Sequence, residues 1–153
     1  MSPVRALLVT TAMMCAAATT LAPSPAGAQD LGATADITGA WAFETDVYEQ
    51  ICRMTGELDL RATDQPGVYE GRLLAFENCE GRDPYQASQS SLVRREGDQV
   101  KIESKLVRVL PSPEFYAPDD FVLTVIDSVL MIGELRSADI APVTFRRRDG
   151  LIG

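Results

Sequence analysis

The stretch CRMTGELDLRATDQPGVYEGRLLAFENC, residues 52–79, carries a cysteine at each end and two alternating segments between them. Met54, Leu58 and Leu60 fall on one parity of the first segment. Tyr69, Leu73 and Ala75 fall on one parity of the second. This is the period of two that gives a strand one buried face. Asp64, Gln65, Pro66 and Gly67 separate the segments as a turn, because proline presets one backbone angle and glycine supplies a left-handed one. The pattern predicts a β-hairpin stapled between Cys52 and Cys79. Closing so long a loop contributes about 3.5 kcal/mol in the chain-entropy model, a large share of a small domain's stability.

The same period recurs on both sides of the hairpin. Ahead of it, Ile37, Gly39, Trp41 and Phe43 share a parity, and Tyr48 to Cys52 makes the connection. After it, Gln86 to Arg95 alternates weakly and is polar on both faces, which predicts an exposed strand. Beyond the Glu96-Gly97-Asp98 turn, Val100, Ile102, Ser104 and Leu106 alternate with Lys101, Glu103 and Lys105, so one face is buried. Pro111, Pro113 and Pro118 interrupt any sheet over 111–119. Phe121, Leu123 and Val125 resume it, Asp127 and Ser128 turn it, and Val129, Met131, Gly133 and Leu135 return. Ala141, Val143 and Phe145 complete the set.

These make eight strands, centred near Trp41, Leu58, Leu73, Ser90, Ile102, Leu123, Met131 and Phe145. The fold class is all-β, and an eight-stranded antiparallel up-and-down barrel removes the edges that invite aggregation. A β-sandwich satisfies the same period. The expected inward set is Trp41, Phe43, Met54, Leu58, Leu60, Tyr69, Leu73, Val100, Ile102, Leu106, Phe121, Leu123 and Met131. Side chains this bulky are expected to fill an eight-stranded interior, leaving little space for a ligand.

The address is written at the start of the chain. Arg5 precedes an uncharged apolar run from Ala6 to Ala22, Pro23 and Pro25 end it, and Ala26, Gly27 and Ala28 supply the small residues of a cleavage site before Gln29. An uncleaved membrane anchor fits less well, because the run is short and carries threonines. Met14 before Cys15 stands where a lipoprotein signal needs a small residue. The expected organisation is therefore a signal peptide at 1–28, a flexible N-terminal arm at 29–36, a barrel at 37–148 and a tail at 149–153, in a periplasmic or secreted protein. Removing residues 1–28 takes away one basic residue, Arg5, and moves the net charge from −8 to −9. Such a balance disfavours nucleic acid and anionic membranes. Two cysteines remain, and an even count in an oxidising compartment reads as a bridge.

The chain contains no histidine, which removes the usual general base for a serine or cysteine nucleophile, and two oxidised cysteines offer no soft metal ligands. No glycine-rich phosphate loop lies between a strand and a helix. The expectation is a protein without catalysis, cofactor or metal. Asp119 and Asp120 are a conceivable calcium pair, but adjacent acids on a strand point to opposite faces, and a solvated loop end is the favoured reading. In the proline-rich loop, Phe115 and Tyr116 are the candidate exposed aromatics, because stiff flanks lower the ordering cost of binding. The alternative is that both rings fold back as a lid.

At Gly39, Ala40 and Trp41 the chain resembles the Gly-x-Trp signature of the lipocalin and calycin families. The resemblance implies a barrel whose tryptophan closes one end, with an arginine from near the last strand stacked across it. Arg146, Arg147 or Arg148 would take that part, and Gly39, Trp41, Arg146 and Arg147 are the expected closure residues. The Thr-Asp-Tyr motif of typical lipocalins is absent. The chain is also similar in kind to bacterial periplasmic inhibitors of secreted metalloproteases, small barrels with one disulfide. That similarity implies an inhibitory segment ahead of the barrel, here Gln29 to Thr34 with Gln29, Asp30 and Leu31 leading, although a Gln-Asp-Leu start differs from a serine-led arm. The expected function is an exported binding module that engages a protein partner through loops or arm, with a protease inhibitor among the readings. A carrier of a small hydrophobic ligand is the alternative.

Overall fold

The computed structural model of the protein describes residues 34–113, 115–137 and 139–148. The alternating segments form eight strands: β1 (Gly39–Thr45), β2 (Cys52–Ala62), β3 (Val68–Cys79), β4 (Tyr85–Glu96), β5 (Gln99–Leu110), β6 (Phe121–Val125), β7 (Leu130–Arg136) and β8 (Ile140–Arg147). Each pairs antiparallel with the next, and β8 pairs back onto β1, so the sheet closes as a barrel. Closure excludes the sandwich. In the stapled hairpin Cys52 lies directly opposite Cys79, and the two are bonded.

Aromatic rings cross the lumen. Phe43 of β1 meets Phe145 of the adjacent β8 at 5.0 Å between centroids. Phe43 also meets Phe121 at 5.4 Å, although β6 is not a neighbour of β1 in the sheet. Phe121 and Phe145 complete the trio edge to face at 5.2 Å. Such edge and offset contacts add to the stabilisation from burial alone. Gly56 of β2 makes room for them, since a Cβ there would stand 2.2 Å from the Leu74 carbonyl oxygen and 2.5 Å from the Phe43 ring.

Three expectations are corrected inside this frame. Leu106 is exposed although it pairs with the buried Gln89, because β6 pairs with β5 only from Gln99 to Ile102 and leaves that part of the strand uncovered; just beyond Leu106 the register shifts between Ser88 and Gln89, so that β5 carries an extra residue. Before this bulge the buried parity is Val100, Ile102 and Ser104; after it Val109 packs against the core instead. A single inserted residue reverses the faces of everything beyond it. The polar strand β4 is an integral wall of the barrel, with Ala87, Gln89, Ser91 and Val93 buried. Its polar atoms are paired inside: the Ser91 and Ser104 hydroxyls share a hydrogen bond of 2.9 Å, and Gln89 bonds to Asp119. Tyr69, expected inward, is half-buried and packs against the edge of the core.

One end of the barrel is closed by the chain that leads into β1. Trp41 is fully buried and its Nε1 donates to the Ile37 carbonyl at 2.9 Å. The Arg147 guanidinium lies 4.6 Å from the Trp41 ring centroid and donates to the carbonyls of Asp36 and Thr38, while its Nε donates to the Ser128 carbonyl. Ala35 packs on the core and accepts a hydrogen bond from Arg95. The last residues of the expected flexible arm therefore lie against the barrel. The opposite end, where Cys52 and Cys79 lie, is differently built.

Candidate functional site

Parity alone directs a carboxylate into the disulfide end. Leu73, Ala75, Glu77 and Cys79 are the same parity of β3, and the first two are buried core, so Glu77 lies on the inward face one step above them. Its neighbours across the sheet are Met54 on β2 and Tyr85 on β4. Met54 and Leu135 form an apolar floor, both at most 3% exposed.

Tyr48 forms one wall. Its backbone amide and carbonyl both bond to Cys52, and the turn between them passes through Glu49 and Gln50 at φ 47° and 67°. Left-handed angles at two successive non-glycine residues are costly and persist only where the surroundings enforce them. They hold the Tyr48 ring over the barrel mouth, only 8% exposed, with a buried hydroxyl that has no partner at hydrogen-bonding distance among the described residues. Burial, with the Glu77 carboxylate nearby, pushes the phenol well above its ordinary range. The hydroxyl is therefore neutral at any physiological pH.

The second wall is the loop before β6. Asp119 is 1% exposed, which corrects the expectation of a solvated loop end. Its amide donates to Gln89 Oε1 at 2.9 Å, and its carboxylate accepts from Gln89 Nε2, from the Tyr116 hydroxyl at 3.1 Å and from Ser137 Oγ at 3.3 Å. Burial raises its pKa to about 6 against these hydrogen bonds, which favour the charged form. Asp120 faces away and accepts the Ser104 amide at 2.7 Å. The two candidate aromatics part company: Tyr116 is half-buried, anchored to Asp119 and edge-on to Tyr85, whereas Phe115 is 79% exposed.

Together these groups surround a cleft of about 320 Å³ open at the barrel rim. Glu49, Glu77, Asp119 and Asp139 line it against a single guanidinium among the described residues, Arg82. Among the described residues, Cys52, Glu77 and Cys79 are the one grouping with metal-ligand spacing, and bonded sulfurs are not thiolates.

Of the other residues singled out by sequence, Gly39, Trp41 and Arg147 meet at the closed end, where a Cβ on Gly39 would lie 3.1 Å from the Arg147 guanidinium. Arg146 is exposed on the outer face, and Arg148 pairs with Glu57 across the barrel wall. Gln29, Asp30 and Leu31 lie outside the described residues. Sequence reasoning gave no role to the side chains of Tyr48 and Glu77 and read Asp119 as a solvated loop end. Glu77 alone carried a signal, a charge on the buried parity of a strand.

No protein-family model matches the chain, and none of the curated proteins matches it. Among solved structures it is similar to a de novo designed fluorescence-activating β-barrel, at 18% identity and a TM-score of 0.47, over 72% of this chain and 93% of that one.

Proposed function

We propose that the protein is an exported, non-catalytic binding module that engages a protein partner at the disulfide end of its barrel. The observation that carries this reading is Phe115, a phenylalanine 79% exposed on a loop stiffened by Pro111, Pro113 and Pro118 and braced by the Tyr116–Asp119 hydrogen bond. A preordered aromatic at a rim loses little freedom on binding, and large rings dominate the energetics of interfaces. The rings packed across the lumen weigh against a carrier of lipophiles.

Absence of catalysis is supported by the lack of histidine and by the bonding of the polar groups in the cleft. The single proton of the Ser137 hydroxyl points to the Pro118 carbonyl at 2.9 Å, and the Asp119 carboxylate, 3.3 Å away, is already held by Gln89 and Tyr116. Export is supported by the Arg5-led apolar run with its small-residue site and by the disulfide, which suits an oxidising compartment. A protease inhibitor of the periplasmic kind remains the specific form in which residues 29–34 would take part.

The test is capture of partners from periplasmic extract and culture medium by three forms of the mature protein: wild type, Phe115→Ala and a deletion of residues 29–34. A partner retained by wild type and lost with Phe115→Ala, at unchanged melting temperature, supports binding at the rim. Loss only with the deletion moves the site to the arm. Saturable uptake of a fatty acid that neither change affects would replace the reading with the carrier.

A further inference from the structure

We propose that the cleft beneath Phe115 binds a primary alkylammonium group, supplied by a lysine side chain of the protein partner. The choice of lysine rests on the reading above; the choice of ammonium stands on the cleft alone.

Charge selects the sign of the ligand. Glu49, Glu77, Asp119 and Asp139 line the cleft, and among the described residues that line it Arg82, on the exposed turn after β3, is the only opposing charge. An anion would meet carboxylates on every wall. The Tyr48 hydroxyl selects the type of cation: without a partner at hydrogen-bonding distance among the described residues, it can turn its O–H toward the nearby Glu77 carboxylate and leave its lone pairs to a donor, and an ammonium brings three N–H donors. A buried polar atom without a partner is costly, so a ligand that completes it gains more than the same contact at a surface. Met54 and Leu135 offer apolar surface to the methylenes of an aliphatic stem, and Tyr48, Tyr85 and Tyr116 line the same cleft. A divalent metal fits less well, because no three carboxylates converge to ligand distance among the described residues. The rim position of Phe115 favours a side chain presented by a partner over a free amine.

Titration of the isotopically labelled protein with n-butylammonium chloride, followed by NMR, tests the chemistry without the partner. The expected result is saturable movement of the Tyr48 and Glu77 signals at millimolar ligand. n-Butanol, of similar shape without charge, should bind at least about tenfold more weakly. Tetramethylammonium, charged but without N–H, should also be weaker. Tyr48→Phe and Glu77→Gln should each weaken butylammonium about fivefold or more, and Tyr48→Phe should leave the fold intact because it removes only an unpaired hydroxyl. Nα-acetyl-lysine-N-methylamide should bind at least as well as butylammonium if the source is a protein side chain; binding confined to the free amine overturns that source. Shifts equal to those of sodium chloride, or unchanged in Tyr48→Phe, overturn the ammonium site. Calcium chloride saturating the same signals at lower concentration overturns it in favour of a metal. Loss of the partner with Phe115→Ala alongside failure of butylammonium would leave rim binding standing and remove only this site.

Discussion

Asp119 shows how a residue's chemistry departs from its place in the sequence. Preceded by Pro118 and followed by Asp120, it reads as a solvated loop acid, yet it is buried and tied to Gln89, thirty residues earlier on a strand that reads as exposed. Each misreading conceals the other, because a buried glutamine needs a buried partner and neither is visible in local periodicity. The consequence is measurable. Raising a carboxyl from an ordinary 3.8 to about 6 stabilises the folded state at low pH, where both states are protonated, and that contribution disappears as pH rises through about 6. The size is about 3 kcal/mol. Because the unfolded carboxyl is already partly ionised at pH 4, urea unfolding at pH 4 and pH 7 should therefore show wild type losing about 2 kcal/mol more than Asp119→Asn over that interval. Parallel losses would assign the change to other groups. At the closed end, Arg147 spans three carbonyls and the Trp41 ring, whereas Arg146 faces outward. Arg147→Ala should lower stability by about 2 kcal/mol and Arg146→Ala by less than about 0.5 kcal/mol, compared by thermal unfolding. The sequence offered three arginines for this role and no means of choosing, since the choice depends on which side of β8 each side chain leaves.

Among elements, the hairpin was the most legible, because two strong alternations, a proline–glycine turn and terminal cysteines agree with one another. Cys52 lies directly across from Cys79, so the disulfide fixes the register of β2 on β3 and anchors the turn that carries Tyr48. Replacing both cysteines by alanine should cost about 2–5 kcal/mol in denaturant unfolding. It should also broaden the NMR signals of Tyr48, whose backbone is clamped to Cys52 on both sides. Sharp, unmoved signals would mean that β2–β3 pairing alone holds the mouth. β5 was legible only to Ser104. Past it the sequence still alternates to Leu106, but β6 no longer pairs with the strand there, and the bulge opposite Ser88 and Gln89 then moves the buried parity to Val109; both are set by pairing and leave no mark in the strand's own pattern.

For the whole molecule, strand count and short connections pointed to an antiparallel meander, and closure follows from the pairing of β1 with β8. Barrel and sandwich have the same periodicity, so only that long-range pairing separates them. The two ends then divide the labour: one is plugged by Trp41 and Arg147, and the other carries an acidic, aromatic cleft above a packed interior. Filling of the lumen by Phe43, Phe121 and Phe145 is the reason the proposed binding is assigned to the rim. Crystals of the mature protein under xenon pressure test this directly, because xenon enters apolar cavities that exclude water. The account predicts no ordered xenon within the ring formed by β1, β6 and β8. A well-occupied xenon site among Phe43, Phe121 and Phe145 would contradict it and return the interior to the role of a ligand chamber.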